Sequence, residues 1–192
     1  PKPYPETELY RTILESGFDK FPERKENYKI YQNSSRSSNL NYLPIKLDVE
    51  NVSRCNYRCQ MCSVSEWKKG TRARDMTLDE FKLLIDQQYG VIELKIQGLG
   101  EPFLSKDFVP MVQYARKRHI WVRSTTNASL LDRNENYKKV IDADISELQV
   151  SIDGGTKETF EKIRTGSRFE KVVKNTILLN DYASRVNKHR TR

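Results

Sequence analysis

Four stretches of this chain alternate apolar and polar residues with a period of two, and a stretch of helical period follows each. Ile45, Leu47 and Val49 alternate with Lys46, Asp48 and Glu50, and Ile92, Leu94 and Ile96 with Glu93, Lys95 and Gln97. A third strand is expected over Ile120–Asn127. A fourth is expected over Ile145–Ile152, where Leu148, Val150 and Ile152 oppose Gln149, Ser151 and Asp153. Such alternation marks strands with two unlike faces. Helices fill the intervals. Thr77 and Glu80 form a capping box ahead of the stripe Leu78, Phe81, Leu84, Ile85 and Tyr89, which Gly90 can stop. Phe108, Met111, Val112 and Ala115 follow, with Pro110 requiring a helix start close by. A third helix is expected near Asp132–Glu135, and a last helical region runs through Phe160 and Ile163, breaks at Gly166 and resumes through Val172, Val173, Ile177 and Leu178. The order βαβαβαβα predicts an α/β fold whose parallel sheet has right-handed crossovers.

The strand faces narrow this further. Parallel strands covered on both sides read as nearly continuous apolar runs, and a filled eight-stranded barrel carries branched aliphatics inside. Here one face of every strand is polar, including Arg123, Thr125 and Asn127 of the third. Burying such groups unpaired costs roughly 1–3 kcal/mol each. The polar face must therefore meet water, ligand or both, which implies a curved sheet around a wet, ligand-holding cavity. Four strands do not close such a cavity, residues 187–192 contain no fifth strand, and the fourth is left as an unprotected edge. The chain is expected to be part of a longer protein or to need another chain over that edge.

The 192 residues suit one domain, and their 10% aromatic content argues against disorder. No apolar run nears the ~20 residues that cross a bilayer. The opening Pro1-Lys2-Pro3-Tyr4 reads as neither a signal nor a transit peptide, so a cytoplasmic protein is expected. Residues 1–43 are expected to be an accessory segment, with a short helix over Glu6–Ser16 and a polar loop at Asn33–Asn39, leaving 44–192 as the core. The net charge of +8 is spread over Lys68/Lys69/Arg72/Arg74, Arg116/Lys117/Arg118 and Arg185/Lys188/Arg190/Arg192. These lie in different elements and lack interleaved aromatics, so they are read as solvated faces rather than a nucleic-acid stripe. Lys68–Arg74 stands apart because it follows the cysteines and is placed to flank the active site or an acidic electron donor.

All three cysteines fall in one segment after the first strand, Cys55-Asn56-Tyr57-Arg58-Cys59-Gln60-Met61-Cys62. An odd count disfavours a disulfide scaffold. Spacings of four and three let one loop wrap three thiolates around a metal centre. Three ligands fill three corners of a 4Fe–4S cluster and leave one iron open, whereas simple electron carriers use four cysteines. Structural zinc needs four ligands, and the only histidines, His119 and His189, are distant in sequence.

With Cys-x3-Cys-x2-Cys after its first strand, the chain resembles the radical S-adenosylmethionine (radical SAM) enzymes. Gly98-Leu99-Gly100-Glu101-Pro102 after the second strand is similar to that family's Gly-Gly-Glu-Pro segment. Thr126-Asn127-Ala128 stands where many members have Thr-Asn-Gly, and Ser151-Ile152-Asp153-Gly154 ends the fourth strand as in many members. The resemblance spans about residues 44–180 and implies the first four units of a partial parallel (β/α)6 barrel. The double glycine is Leu99-Gly100 here, and the residue before the last cysteine, often aromatic, is Met61, whose polarizable sulfur can pack on adenine.

The resemblance implies that Cys55, Cys59 and Cys62 hold a 4Fe–4S cluster and that S-adenosylmethionine chelates its fourth iron. Reductive cleavage would give a 5′-deoxyadenosyl radical that takes hydrogen from substrate, with no further catalytic residue assigned. Gly98, Gly100 and Glu101 would line the cofactor's amino group, Ser151 and Asp153 its ribose or methionine part, with Asn127 facing the same centre and Arg164 pairing with its carboxylate. A reductant such as flavodoxin or ferredoxin is implied. Ser151–Gly154 with Arg164-Thr165-Gly166 is closest to the branch that often carries a C-terminal SPASM domain and modifies peptides or small molecules by oxidoreductase or transferase chemistry. Two alternatives stand. One is an RNA-modifying radical SAM methyltransferase, whose Gly-Met-Gly-Glu-Pro segment is similar to residues 98–102. The other is a non-catalytic metal-binding module using three thiolates and an external ligand.

Overall fold

Strands β1 (Lys46–Val49), β2 (Glu93–Ile96), β3 (Trp121–Thr126) and β4 (Glu147–Val150) form one parallel sheet in the order β1-β2-β3-β4. The computed structural model describes residues 8–35, 38–68 and 73–186. Period-two alternation holds. Leu94, Ile96, Val122 and Leu148 are buried on the outer face against helices, while Asp48 and Gln149 on the other face stay exposed. The helices are α3 (Leu78–Gln87), α4 (Phe108–Lys117), α5 (Asn136–Asp142), α6 (Lys157–Ile163) and α7 (Phe169–Arg185), preceded by α1 (Glu8–Lys20) and α2 (Pro22–Asn33). Their apolar stripes converge on Phe81, Ile85, Met111, Val140 and Phe160, each almost wholly buried.

The capping box forms as expected: Thr77 accepts from the Glu80 amide, and the Glu80 carboxylate accepts from the Thr77 amide. Two ends come early. Helix α3 stops at Gln87, so Tyr89 lies exposed instead of extending the stripe. Strand β4 stops at Val150, because the Ser151 amide takes the last free carbonyl of β3, at Thr126, and the Asn127 amide is already given to Glu101. Ile152, expected on the buried face, is 45% exposed.

Sequence reasoning missed α2. The reason is physical: what it buries is Arg24 and Asn27, not an apolar stripe. Pro22 at its first position was the available signal. The N-terminal helices lie across the strands' N-terminal ends. Arg24 donates to the carbonyls of Tyr89 (3.1 Å) and Arg118 (2.7 Å), and Asn27 bonds both backbone groups of Leu43. Tyr10 sits edge-on to Trp121, with ring centroids 5.3 Å apart. Beside them Glu93, 2% exposed, is paired with Lys46 at 2.6 Å and Arg123 at 3.2 Å. The lower end of the polar face is thus closed by protein, and only its upper end remains for a ligand.

Candidate active site

The segment that follows β1 is pinned on three sides. The Arg54 carbonyl accepts from the Glu101 amide at 3.0 Å, tying it to the end of β2. Asn56 bonds Ser129 (2.8 Å) and Asn127 (3.0 Å), tying it to the end of β3. The Arg58 and Gln60 amides donate to the carbonyls of Thr165 (2.8 Å) and Ile163 (3.0 Å) at the C-terminal end of α6. These bonds hold Cys55, Cys59 and Cys62, all free thiols, against one pocket of about 350 Å3. Gly98, Gly100, Glu101, Asn127, Ser151 and Arg164 form its walls, and Met61 is at its mouth, 59% exposed. Of the expected site residues only Asp153 is outside the lining. Its carboxylate pairs with Arg164 at 2.5 Å, so the cation faces the pocket already partnered.

Glu101 has a firmer structural role than a wall residue. It is 2% exposed, and its carboxylate accepts from the Thr126 hydroxyl (2.7 Å) and the Asn127 (2.8 Å) and Phe103 (3.4 Å) amides. Burial outweighs these donors and raises its pKa to about 7. Gly100 is constrained by protein as well: a Cβ there would overlap the Val52 carbonyl oxygen and lie 2.7 Å from that of Arg54. The third-strand landmark ends on Ala128, at φ 60°, the left-handed region where a glycine is relaxed.

Residues that the motifs did not name also line the pocket, among them Ser63, Gln97 and Thr125. Their parity was the available signal for the last two, since both belong to the polar face. The side-chain oxygen of Gln97 is buried without a partner among the described residues.

The donor set fits an iron–sulfur cluster. Cys55 already receives the Tyr57 amide (3.5 Å) and the Asn127 side-chain amide (3.8 Å) at its sulfur. Burial raises the pKa of Cys55 and Cys59, so metal binding must displace their protons. Among the described residues no three His, Cys, Asp or Glu side chains converge as around a single ion. A cubane asks for a looser set, because each thiolate binds a different iron.

Three cations of the expected basic clusters form ion pairs with the chain itself. Arg116 pairs with Asp144 at 2.7 Å, Arg118 with Asp86 at 2.5 Å while stacking on Tyr114, and Arg74 with Glu80. Lys69, Arg72, Lys188, Arg190 and Arg192 lie outside the described residues, as do Glu6 and residues 187–192. Among the described residues no helix is long and apolar enough to cross a membrane.

Fold and pocket together define an open parallel α/β half-barrel with a three-cysteine loop at the C-terminal ends of its strands. The family model of the radical SAM superfamily matches residues 51–191, and the chain belongs to that superfamily of enzymes. Its members use a 4Fe–4S cluster and S-adenosylmethionine. The mycofactocin maturase MftC of Mycolicibacterium smegmatis is 30% identical over 133 residues, 68% of this chain and 33% of that protein. A GTP 3′,8-cyclase of Aliarcobacter butzleri is 33% identical over 135 residues, 66% of this chain and 40% of that protein. The chain thus spans well under half the length of these relatives. Streptococcus suis SuiB bound to S-adenosylmethionine shares the fold with a TM-score of 0.63 at 17% identity, over 73% of this chain and 32% of SuiB. The anSMEcpe structure with bound AdoMet does so at 0.57 and 24%, over 72% of this chain and 42% of that one.

Proposed function

We propose that Cys55, Cys59 and Cys62 hold a 4Fe–4S cluster against which the pocket seats S-adenosylmethionine for hydrogen abstraction from a peptide or polar small molecule. The observation that carries this reading is the convergence of three free thiols and the ends of β2, β3 and β4 on one pocket. When bound, the pair supplies reductive cleavage of a sulfonium and a 5′-deoxyadenosyl radical. This chain's residues bind and orient. The carbonyls of Gly98 and Gly100, with the Glu101 carboxylate behind them, suit a cationic amino group. Arg164, steadied by Asp153, suits a carboxylate. Ser151 and Asn127 offer hydrogen bonds to hydroxyls, and Met61 offers an apolar contact to a ring. The exposed polar residues Asp48 and Gln149 on the inner face favour a polar substrate. A reducing cytoplasm suits three free thiols.

The test is anaerobic reconstitution with iron and sulfide. Incorporation of about four irons per chain, and 5′-deoxyadenosine formed from S-adenosylmethionine under dithionite, support the proposal. Alanine at Cys55, Cys59 or Cys62 should abolish both. A single tightly bound zinc, or an iron-loaded chain that leaves the sulfonium intact, overturns it.

A further inference from the structure

We infer that the cleft between α4 and α5 docks an acidic one-electron carrier protein that reduces the cluster; the inference rests on the function proposed above. The cleft measures about 680 Å3, larger than the cysteine pocket. One wall is the turn after β2 and the start of α4, and the other is the turn after β3 and α5, so it opens at the same end of the sheet as the cysteines. Cys55 is connected to both sides of it through its chain neighbours. Each neighbour of that cysteine reaches toward one wall: Arg54 donates to the Leu104 carbonyl at 2.8 Å, and Asn56 to Ser129, just ahead of the second wall, at 2.8 Å.

The charge of the cleft points to the partner. Lys106, Arg133 and Lys139 line it, are exposed, and form no hydrogen bond or salt bridge through their side chains among the described residues. Three cations of the sequence-contiguous clusters differ, since Arg74, Arg116 and Arg118 are paired. The one anion in the lining, Asp142, is held by the Tyr182 hydroxyl at 2.8 Å. Arg133 leads into Asn134 and Glu135, both left-handed at φ 50° and 57°. Two such non-glycine residues cost roughly 1–2 kcal/mol each, a strain that tends to collect at functional segments. Between the cations lie Phe103, Val109 and Pro110, giving an apolar floor inside a charged rim, the anatomy of a protein interface. Among the described residues that line the cleft the one aromatic ring, Phe103, is buried and offers no face for a nucleobase to stack on. One electron passes from the docked, reduced carrier to the cluster, and the carrier is oxidised by one equivalent.

The probe is flavodoxin, an acidic carrier. Its oxidised form is titrated onto the full chain at low and high salt, and its reduced form is mixed with the reconstituted protein. Affinity should fall with salt, and K106E/R133E/K139E should weaken binding and slow cluster reduction by about tenfold or more. Reduction by dithionite should be unchanged. R11E/K20E/K25E shifts the net charge equally at the opposite end of the molecule and should stay within about twofold of wild type. The neutral K106Q/R133Q/K139Q set replaces the reversal should that fold poorly. Equal losses in both triple variants, wild-type binding and reduction in the cleft variants, or displacement of flavodoxin from the cleft by a short RNA would each overturn the inference. A chain that takes up no iron, or that dithionite cannot reduce, instead defeats the function proposed above.

Discussion

Glu101 should make the stability of the apo protein fall as pH rises through neutrality. Its carboxyl moves from 4.5 in the unfolded chain to about 7 in the folded one, because burial penalises the charged form. Between those values the folded state holds a proton that the unfolded state has lost, so unfolding releases protons and stability declines with pH. The contribution is whole below about pH 4.5 and gone above about pH 7. A shift near 2.5 units, at 1.36 kcal/mol each, corresponds to roughly 3 kcal/mol. Other groups move too: burial lowers the pKa of His119, which raises stability as pH climbs through the histidine range. Glu101→Gln isolates the carboxyl. The amide mimics the neutral acid but opposes a donor to the Asn127 amide, a penalty of roughly 1–3 kcal/mol that does not vary with pH. Urea unfolding of both proteins at pH 5, 6, 7 and 8 should show the gap, wild type minus variant, falling by about 2.5 kcal/mol, to the point of reversal where the amide's penalty is small. A gap that is constant, or that rises with pH, would refute the reasoning by showing the charged carboxylate to be the favoured form.

The same titration bears on ligand binding. A neutral Glu101 offers no charge to an ammonium, so the affinity of the reconstituted protein for S-adenosylmethionine should rise between pH 6 and 8 by equilibrium dialysis; a flat profile removes Glu101 from amino-group recognition. Gly100→Ala drives a methyl into the Val52 carbonyl and should cost about 2 kcal/mol or more in urea unfolding, with reduced iron uptake. Wild-type behaviour would mean that the loop yields freely. Glu93→Ala leaves Lys46 and Arg123 facing each other without their shared anion and should cost roughly 3 kcal/mol; a loss under about 1 kcal/mol would show that both cations reach solvent unaided. Ala128→Gly releases left-handed strain at the expense of unfolded-state entropy and should be neutral to stabilising by up to about 1 kcal/mol. A clear destabilisation would place the worth of Ala128 in its buried methyl.

What was legible in the sequence was whatever repeats with a period or clusters in a short segment. Leu94, Ile96 and Val122 announce their strands because their neighbours alternate, and the three cysteines announce a loop because eight residues contain them all. Helix α2 was hidden because Arg24 and Asn27 do the work that apolar residues do elsewhere, and their partners are backbone carbonyls and amides that no pattern reveals. The pairing of Arg164 with Asp153 was hidden because both were assigned separately to a ligand. The orientation of Glu101 depends on the Thr126 hydroxyl, which sits on the opposite parity from the face that suggested the site. Lys106, Arg133 and Lys139 form no run in the chain. Only the neighbouring positions of α4 and α5 bring them together.

The polar face, continuous in sequence, is spent unevenly along the strands, and that unevenness locates the chemistry. At the lower end every charge has an answer: Glu93 takes Lys46 and Arg123, and Trp121 is covered by Tyr10. A ligand there would have to break existing pairs, which makes binding costly. At the upper end the donors and acceptors are held in place but not all used. The oxygen of Gln97 has no partner among the described residues, Cys55 receives two N–H groups without giving up its own proton, and Glu101 is poised near neutrality. Rigid placement with unused hydrogen-bonding capacity is the condition for binding without reorganisation. The loop bonds from Arg54, Asn56, Arg58 and Gln60 supply the rigidity. Selectivity for the upper end therefore follows from where the protein has already satisfied itself, and cutting the Asn56 tie alone, with Asn56→Ala, should loosen the site while leaving the closed end intact.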